Sequence, residues 1–85
     1  MKYIIFNRKE VSLPIIFHEH INHSQVDLGN EWKPVSAGFC YLKEGWLTVD
    51  KTRKSTSLKL KPNKEDETIL RMFQEEYPIS FFLKF

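Results

Sequence analysis

The stretch from Pro34 to Phe73 constrains the fold more than any other part of this chain. Pro34-Val35-Ser36-Ala37-Gly38-Phe39-Cys40-Tyr41-Leu42 has the composition of a strand, Gly45 marks a tight turn, and Trp46-Leu47-Thr48-Val49-Asp50 returns as a second strand. A basic connection, Lys51-Thr52-Arg53-Lys54, leads to Ser55-Thr56-Ser57-Leu58-Lys59-Leu60-Lys61, which alternates at period two and predicts a further strand. Pro62-Asn63 then opens a helix. Asn63 is its cap, and Glu65, Asp66 and Glu67 place negative charge at the positive end of the helix dipole. Ile69, Leu70, Phe73 and Tyr77 recur on one face, which lies that helix on the sheet, and Pro78 ends it.

The N-terminal half supplies two more strands. Lys2 to Asn7 is apolar on both faces, as an interior strand must be. Val11 to Phe17 returns beside it, and Pro14, which has no amide proton, sends this strand to an edge or to a bulge. Asn22 with Gln25 forms a capping-box pattern, Ile21 and Val26 a hydrophobic staple, and Gly29 a stop, so a short helix is expected at about 23–28. The tail Ile79-Ser80-Phe81-Phe82-Leu83-Lys84-Phe85 alternates again and predicts a last strand or a docking arm over 77–85.

The expected fold is therefore one small α+β domain over 1–85. It has a mixed or mostly antiparallel sheet of five to six strands in the order β-β-α-β-β-β-α-β. One short helix (about 23–28) and one longer helix (about 63–76) pack on that sheet. Eighty-five residues leave room for a single core, and a chain this short gains from aromatic burial or from pairing with a second copy. A homodimer formed by strand addition at an edge is the expected assembly. The single cysteine, Cys40, excludes an internal disulfide. Met1 to Phe6 is too short for the apolar segment of a secretory leader, and no run approaches the ~20 apolar residues of a membrane span. Both features predict a soluble, cytoplasmic protein.

Four segments carry a family resemblance. They are Met1-Lys2-Tyr3-Ile4-Ile5-Phe6; Leu13-Pro14-Ile15-Ile16-Phe17 with His23-Ser24-Gln25-Val26; Ser36-Ala37-Gly38-Phe39; and Ser55-Thr56-Ser57-Leu58-Lys59-Leu60-Lys61-Pro62-Asn63-Lys64-Glu65-Asp66. Across roughly residues 1–73 the chain resembles small, functionally uncharacterised proteins encoded by tailed phages and prophages. The resemblance implies a phage or prophage setting and brings no activity, cofactor or partner. Tyr77 to Phe85 looks like an extension of that pattern, and Lys51 to Lys54 is more basic than it.

Three groups of residues invite a functional reading. His18, His20 and His23 put three imidazoles within six positions, a composition suited to a transition metal. The spacing does not match two ligands one helical turn apart, so a polar loop is the competing reading. His23 also stands at a helix start, where an anion or a partner finds free amide groups; a ring laid against a neighbouring strand or bonded to a backbone carbonyl is the competing reading. From Lys43 to Lys64 seven basic residues face only Glu44 and Asp50, although net charge is just +2. Lys51, Arg53, Lys54, Lys59 and Lys61 suit phosphates, with Tyr41 or Trp46 as a stacking face. The alternative is that lysines on an edge strand merely discourage aggregation.

No Gly-x-Ser-x-Gly elbow occurs, and the only glycines (29, 38 and 45) cannot build a phosphate loop. Enzymatic activity is not expected, nor is a cofactor. The leading expectation is a non-enzymatic phage or prophage accessory protein that binds a protein partner and modulates or inhibits it. The alternatives are a nucleic-acid binder using 51–61, and a metal or small-ligand protein using the histidines.

Overall fold

The strand Lys2–Arg8 (β1) lies inside the sheet because it is apolar on both sides. Tyr3 and Ile5 face one way, Ile4 and Phe6 the other, and all four are buried. β2 (Val11–Phe17) pairs with one edge of β1 and β3 (Lys33–Lys43) with the other, while β4 (Trp46–Asp50) adds to β3. All pairings are antiparallel, in the order β2-β1-β3-β4. A computed structural model describes residues 1–53 and 58–76 of the chain.

Local chemistry explains the turns and ends. Glu44 and Gly45 at the β3–β4 tip have φ of 54° and 85°. This pair of positive angles is what a two-residue hairpin loop uses to match strand twist. Pro14 sits in an edge strand, as its missing amide proton requires. The β1–β3 ladder shifts between Ile5, opposite Ser36, and Phe6, opposite Pro34, so Val35 is the extra residue of a bulge.

Two apolar layers form, one on each face of the sheet. On the first, the helix α1 (Asp66–Glu76) lays Ile69, Leu70 and Phe73 over Tyr3, Ile5, Ile16, Cys40, Leu47 and Val49. On the second, Ile4, Phe6, Phe17 and Ala37 are covered by Val26, Leu28 and Trp32 from one loop and by Leu58 and Leu60 from another. The helix face therefore follows the apolar spacing of the sequence.

The α+β class stands, but the expected five to six strands and two helices are overturned. Among the described residues there are four strands and one α-helix. The short helix at 23–28 is a single 3₁₀ turn, His23–Gln25. Its capping contact does form, with the Asn22 amide donating to Gln25 Oε1 at 2.8 Å. Val26 then turns extended (φ −94°, ψ 117°), and Val26 and Leu28 reach the core from that extended chain. A segment this short gains too few hydrogen bonds to repay helix nucleation.

The strand expected at 55–61 also fails where it is described. Residues 58–61 pair with no strand, and Lys59 sits at φ 58°, which breaks an extended run. The leucines of that segment still point inward and the lysines outward. The longer helix starts at Asp66 rather than 63, and the Asp66 carboxylate reaches back to accept from the Asn63 amide. Lys54 to Ser57 and the strand or arm expected over 77–85 lie outside the described residues. Among those described, no helix is long and apolar enough to cross a membrane.

Candidate functional site

The helix is tied to the sheet by one buried carboxylate. Asp66, 1 % exposed, accepts hydrogen bonds from the Tyr3 hydroxyl at 2.6 Å, the Ser36 hydroxyl at 2.7 Å and the Asn63 amide at 2.9 Å. Burial first, and the neighbouring Asp66 second, push the Tyr3 phenol far above its ordinary range, so it stays a donor. β4 ends opposite Phe39, and Pro62 closes on Gly38 where β3 runs on without it. A Cβ at Gly38 would lie 3.1 Å from both Pro62 Cγ and the Tyr3 hydroxyl. The missing side chain at Gly38 thus leaves the space that the Pro62 ring and the Tyr3 phenol fill.

His23 lies against the other side of the same strand. It is 2 % exposed and its Nε2 stands 2.9 Å from the Gly38 carbonyl oxygen. A carbonyl can only accept, so Nε2 carries the proton. Phe17 and Phe39 meet the ring edge-on. Burial lowers the His23 pKa, and the Lys2 ammonium adds to that, against the opposing pull of the Gly38 carbonyl.

No nucleophile emerges from this junction. The Ser36 proton is aimed at Asp66, the His23 proton at a backbone carbonyl, and burial raises the Cys40 thiol to about 11. No buried side-chain nitrogen or oxygen among the described residues lacks a hydrogen-bond partner. The arrangement joins a helix start, a strand and a loop by satisfied hydrogen bonds. Its chemistry is that of a fastening.

The three histidines do not converge. His18 and His20 stack on each other at the surface with ring centroids 4.5 Å apart, and the His20 amide donates to His18 Nδ1 at 3.1 Å. His23 is turned into the core, so neither the metal reading nor the anion-contact reading has a free imidazole there. Among the described residues no group of three or more His, Cys, Asp or Glu is placed to hold a metal ion.

The basic residues divide by where their side chains go. Arg53 folds back, its guanidinium 3.8 Å from the centre of the Phe39 ring and 3.2 Å from Glu19 Oε1. Lys54 lies outside the described residues, and Lys59 is exposed. Lys51 and Lys61 do converge, with Lys64, around a groove of about 360 Å³ floored by Val49 and Pro62. A second groove of about 450 Å³ adjoins it, sharing Val49, Lys51 and Glu67 and extending to Tyr41, Lys43 and Thr48. Lys43 and Lys64 thus join the surface, although the charge run alone did not single them out.

The acids at these grooves are engaged locally. Glu67 accepts from the Val49 amide at 3.0 Å and lies 3.9 Å from Arg71. Asp50 accepts from the Thr52 hydroxyl at 2.6 Å and amide at 3.0 Å, and these bonds hold its carboxyl below the usual range. Ion pairs among the described residues involve Arg8, Arg53, Arg71 and the chain's amino group; none involves a lysine.

The strand register adds an aromatic element to this surface. Tyr41 lies opposite Thr48 and Lys43 opposite Trp46, so all four share one face of the hairpin. Tyr41 and Trp46 are each 44 % exposed. Comparisons of the chain with protein-family models, with curated proteins and with solved structures find no match.

Proposed function

We propose that this chain is a non-enzymatic accessory protein, in the phage or prophage setting its sequence resembles, and that it acts by binding an anionic macromolecule. One observation carries this reading. Lys43, Lys51, Lys61 and Lys64 gather around two adjoining grooves and enter no ion pair among the described residues, outnumbering the Glu67 and Asp50 carboxylates that also line the grooves and are held by bonds of the protein itself. Unneutralised ammonium groups above an apolar floor attract an extended anion more strongly than the same charges scattered in water. The buried polar groups support the non-enzymatic part of the reading, because each is consumed in holding the fold.

Heparin-agarose chromatography tests the proposal. The wild-type protein is expected to bind at low salt and elute as salt is raised. Lys51→Glu combined with Lys61→Glu and Lys64→Glu should pass unretained with an unchanged far-ultraviolet circular dichroism spectrum. If the wild-type protein is not retained, or the triple variant is retained equally well, the anionic-partner reading fails.

A further inference from the structure

We propose that the ligand of this surface is single-stranded nucleic acid, with bases stacked on Tyr41 and Trp46 and phosphates held by the neighbouring lysines. This inference rests on the anionic-partner reading and narrows it to one class of macromolecule.

The geometry separates a nucleic acid from an acidic protein face. Because Tyr41 pairs with Thr48 and Trp46 with Lys43, the two rings are diagonal neighbours across the hairpin. Diagonal positions on one face stand roughly 7–8 Å apart at their roots. That spacing exceeds the ~3.4 Å rise per nucleotide of a stacked strand. Two rings so placed receive two bases separately, each with its own platform. Every base has a π-face, so such a platform is tolerant of sequence.

The lysines extend from those platforms in one direction. Lys43 lies directly opposite Trp46, Lys51 lines the groove that contains Tyr41, and Lys61 and Lys64 line the next one. A strand stacked on the hairpin therefore has its phosphates led along β4 and around its outer edge, where the two grooves meet, to the start of α1 on the other face. An acidic protein would satisfy the lysines but offers the rings a stacking partner only where its own side chains supply one, whereas a single strand offers a π-face at every nucleotide. Duplex nucleic acid has its bases paired and stacked internally, so it leaves the rings unused.

Phe39 marks the limit of the platform. It lies on the same face two residues before Tyr41, but its ring is covered by the Arg53 guanidinium. The stacking surface therefore begins at Tyr41.

The experiment uses intrinsic fluorescence. The chain has two tryptophans, and Trp32 is half-buried beneath the Arg8 guanidinium, so Trp32→Phe leaves Trp46 as the reporter. Mixed-sequence single-stranded DNA and RNA of about a dozen nucleotides, within the usual site size, are titrated into this protein. The same sequences as duplexes and poly-glutamate serve as competitors. The expected result is quenching by the single strands and at least tenfold weaker binding of the duplexes. Tyr41→Ala, in the Trp32→Phe protein, should weaken binding about 5- to 100-fold.

The logarithm of affinity should fall with the logarithm of salt concentration at a slope of about −3, or roughly −0.7 for each of four lysines. Lys43→Ala, which leaves both rings in place, should flatten that slope by about 0.7. Binding without quenching, equal binding of single strands and duplexes, or tighter binding of poly-glutamate overturns the inference and leaves the anionic-partner reading standing. Binding of no polyanion at low salt overturns both.

Discussion

An aspartate almost wholly removed from water can sit among three donors only while it remains a pure acceptor. The Tyr3 and Ser36 hydroxyls can rotate to suit another group at position 66, but the Asn63 amide cannot. Asp66→Asn, though nearly the same shape, turns an NH₂ toward donors on at least one side. It should lower the unfolding free energy in urea by about 2–3 kcal/mol. That is a large share of the roughly 4–13 kcal/mol expected for a chain of this length; equal stability of the variant and the wild type would refute this role.

His23 predicts a pH effect with a definite sign. Its folded pKa is depressed, so between its unfolded value near 6.5 and the lower folded value the unfolded chain holds more protons. Stability is therefore retained above about pH 6.5 and lost as pH falls through that window. His23→Gln should flatten the dependence, measured by urea melts at several pH values; an unchanged dependence would refute this role. Of the two, only His23 had its role among the readings of the sequence, as a ring bonded to a backbone carbonyl of a neighbouring strand. Asp66 was read as one of three acids serving the helix dipole, because its hydroxyl partners lie 30 and 63 positions away. The three-residue spacing from Asn63, whose amide it accepts from, was the one local clue.

At the level of elements, α1 does more than cover the sheet. Three side chains, spaced at i, i+4 and i+7, bond the outer edge of β4. Glu67 accepts from the Val49 amide at 3.0 Å, Arg71 Nε donates to the Leu47 carbonyl at 3.0 Å, and Gln74 Oε1 accepts from the Leu47 amide at 2.9 Å. Gln74 Nε2 also donates to the Gly45 carbonyl at 2.6 Å. The helix thereby occupies backbone groups that a further strand would use. Glu67→Ala with Gln74→Ala should release the Leu47 and Val49 amides to faster hydrogen exchange and make sedimentation concentration-dependent. Unchanged protection at those two amides would contradict this role.

Element type was readable wherever composition acted locally. The doubly apolar β1, the edge position of Pro14, the Gly45 hairpin and the apolar face of α1 all follow from nearby residues. The segment 58–61 misled because Leu58 and Leu60 do turn inward and the lysines outward, as in a strand. The left-handed backbone at Lys59 achieves that alternation without any ladder. Likewise, the capping contact of Asn22 and Gln25 is real, but the turn it starts is too short to propagate.

Across the whole molecule, fastening and proposed recognition share the same strands: Asp66 fastens them on the helix side and His23 on the other, while the exposed rings stand further along the hairpin. The basic run was legible as charge, but which lysines meet depends on how the chain returns from β4 to α1. Arg53 was among the expected binding residues and is spent on Phe39 and Glu19 instead. The homodimer expected through strand addition finds the β4 edge already occupied, which leaves β2 as the edge through which a second copy would pair. The proposed nucleic-acid face lies away from that edge, beside β4, so pairing through β2 would leave it open.

The alternation along β3 has a consequence for how such a protein can change. Ser36 and Cys40 look into the helix-side layer, and Gly38 leaves room there for Pro62; Tyr41 and Lys43 look out on the opposite face. Deleting or inserting one residue within this strand would exchange the two sets at once, sending Lys43 inward and a core residue out. The proposed recognition face is therefore editable by substitution, at positions 41, 43 and 46, but closed to changes of length within the strand; an added residue fits instead at the Glu44–Gly45 tip, outside the ladder.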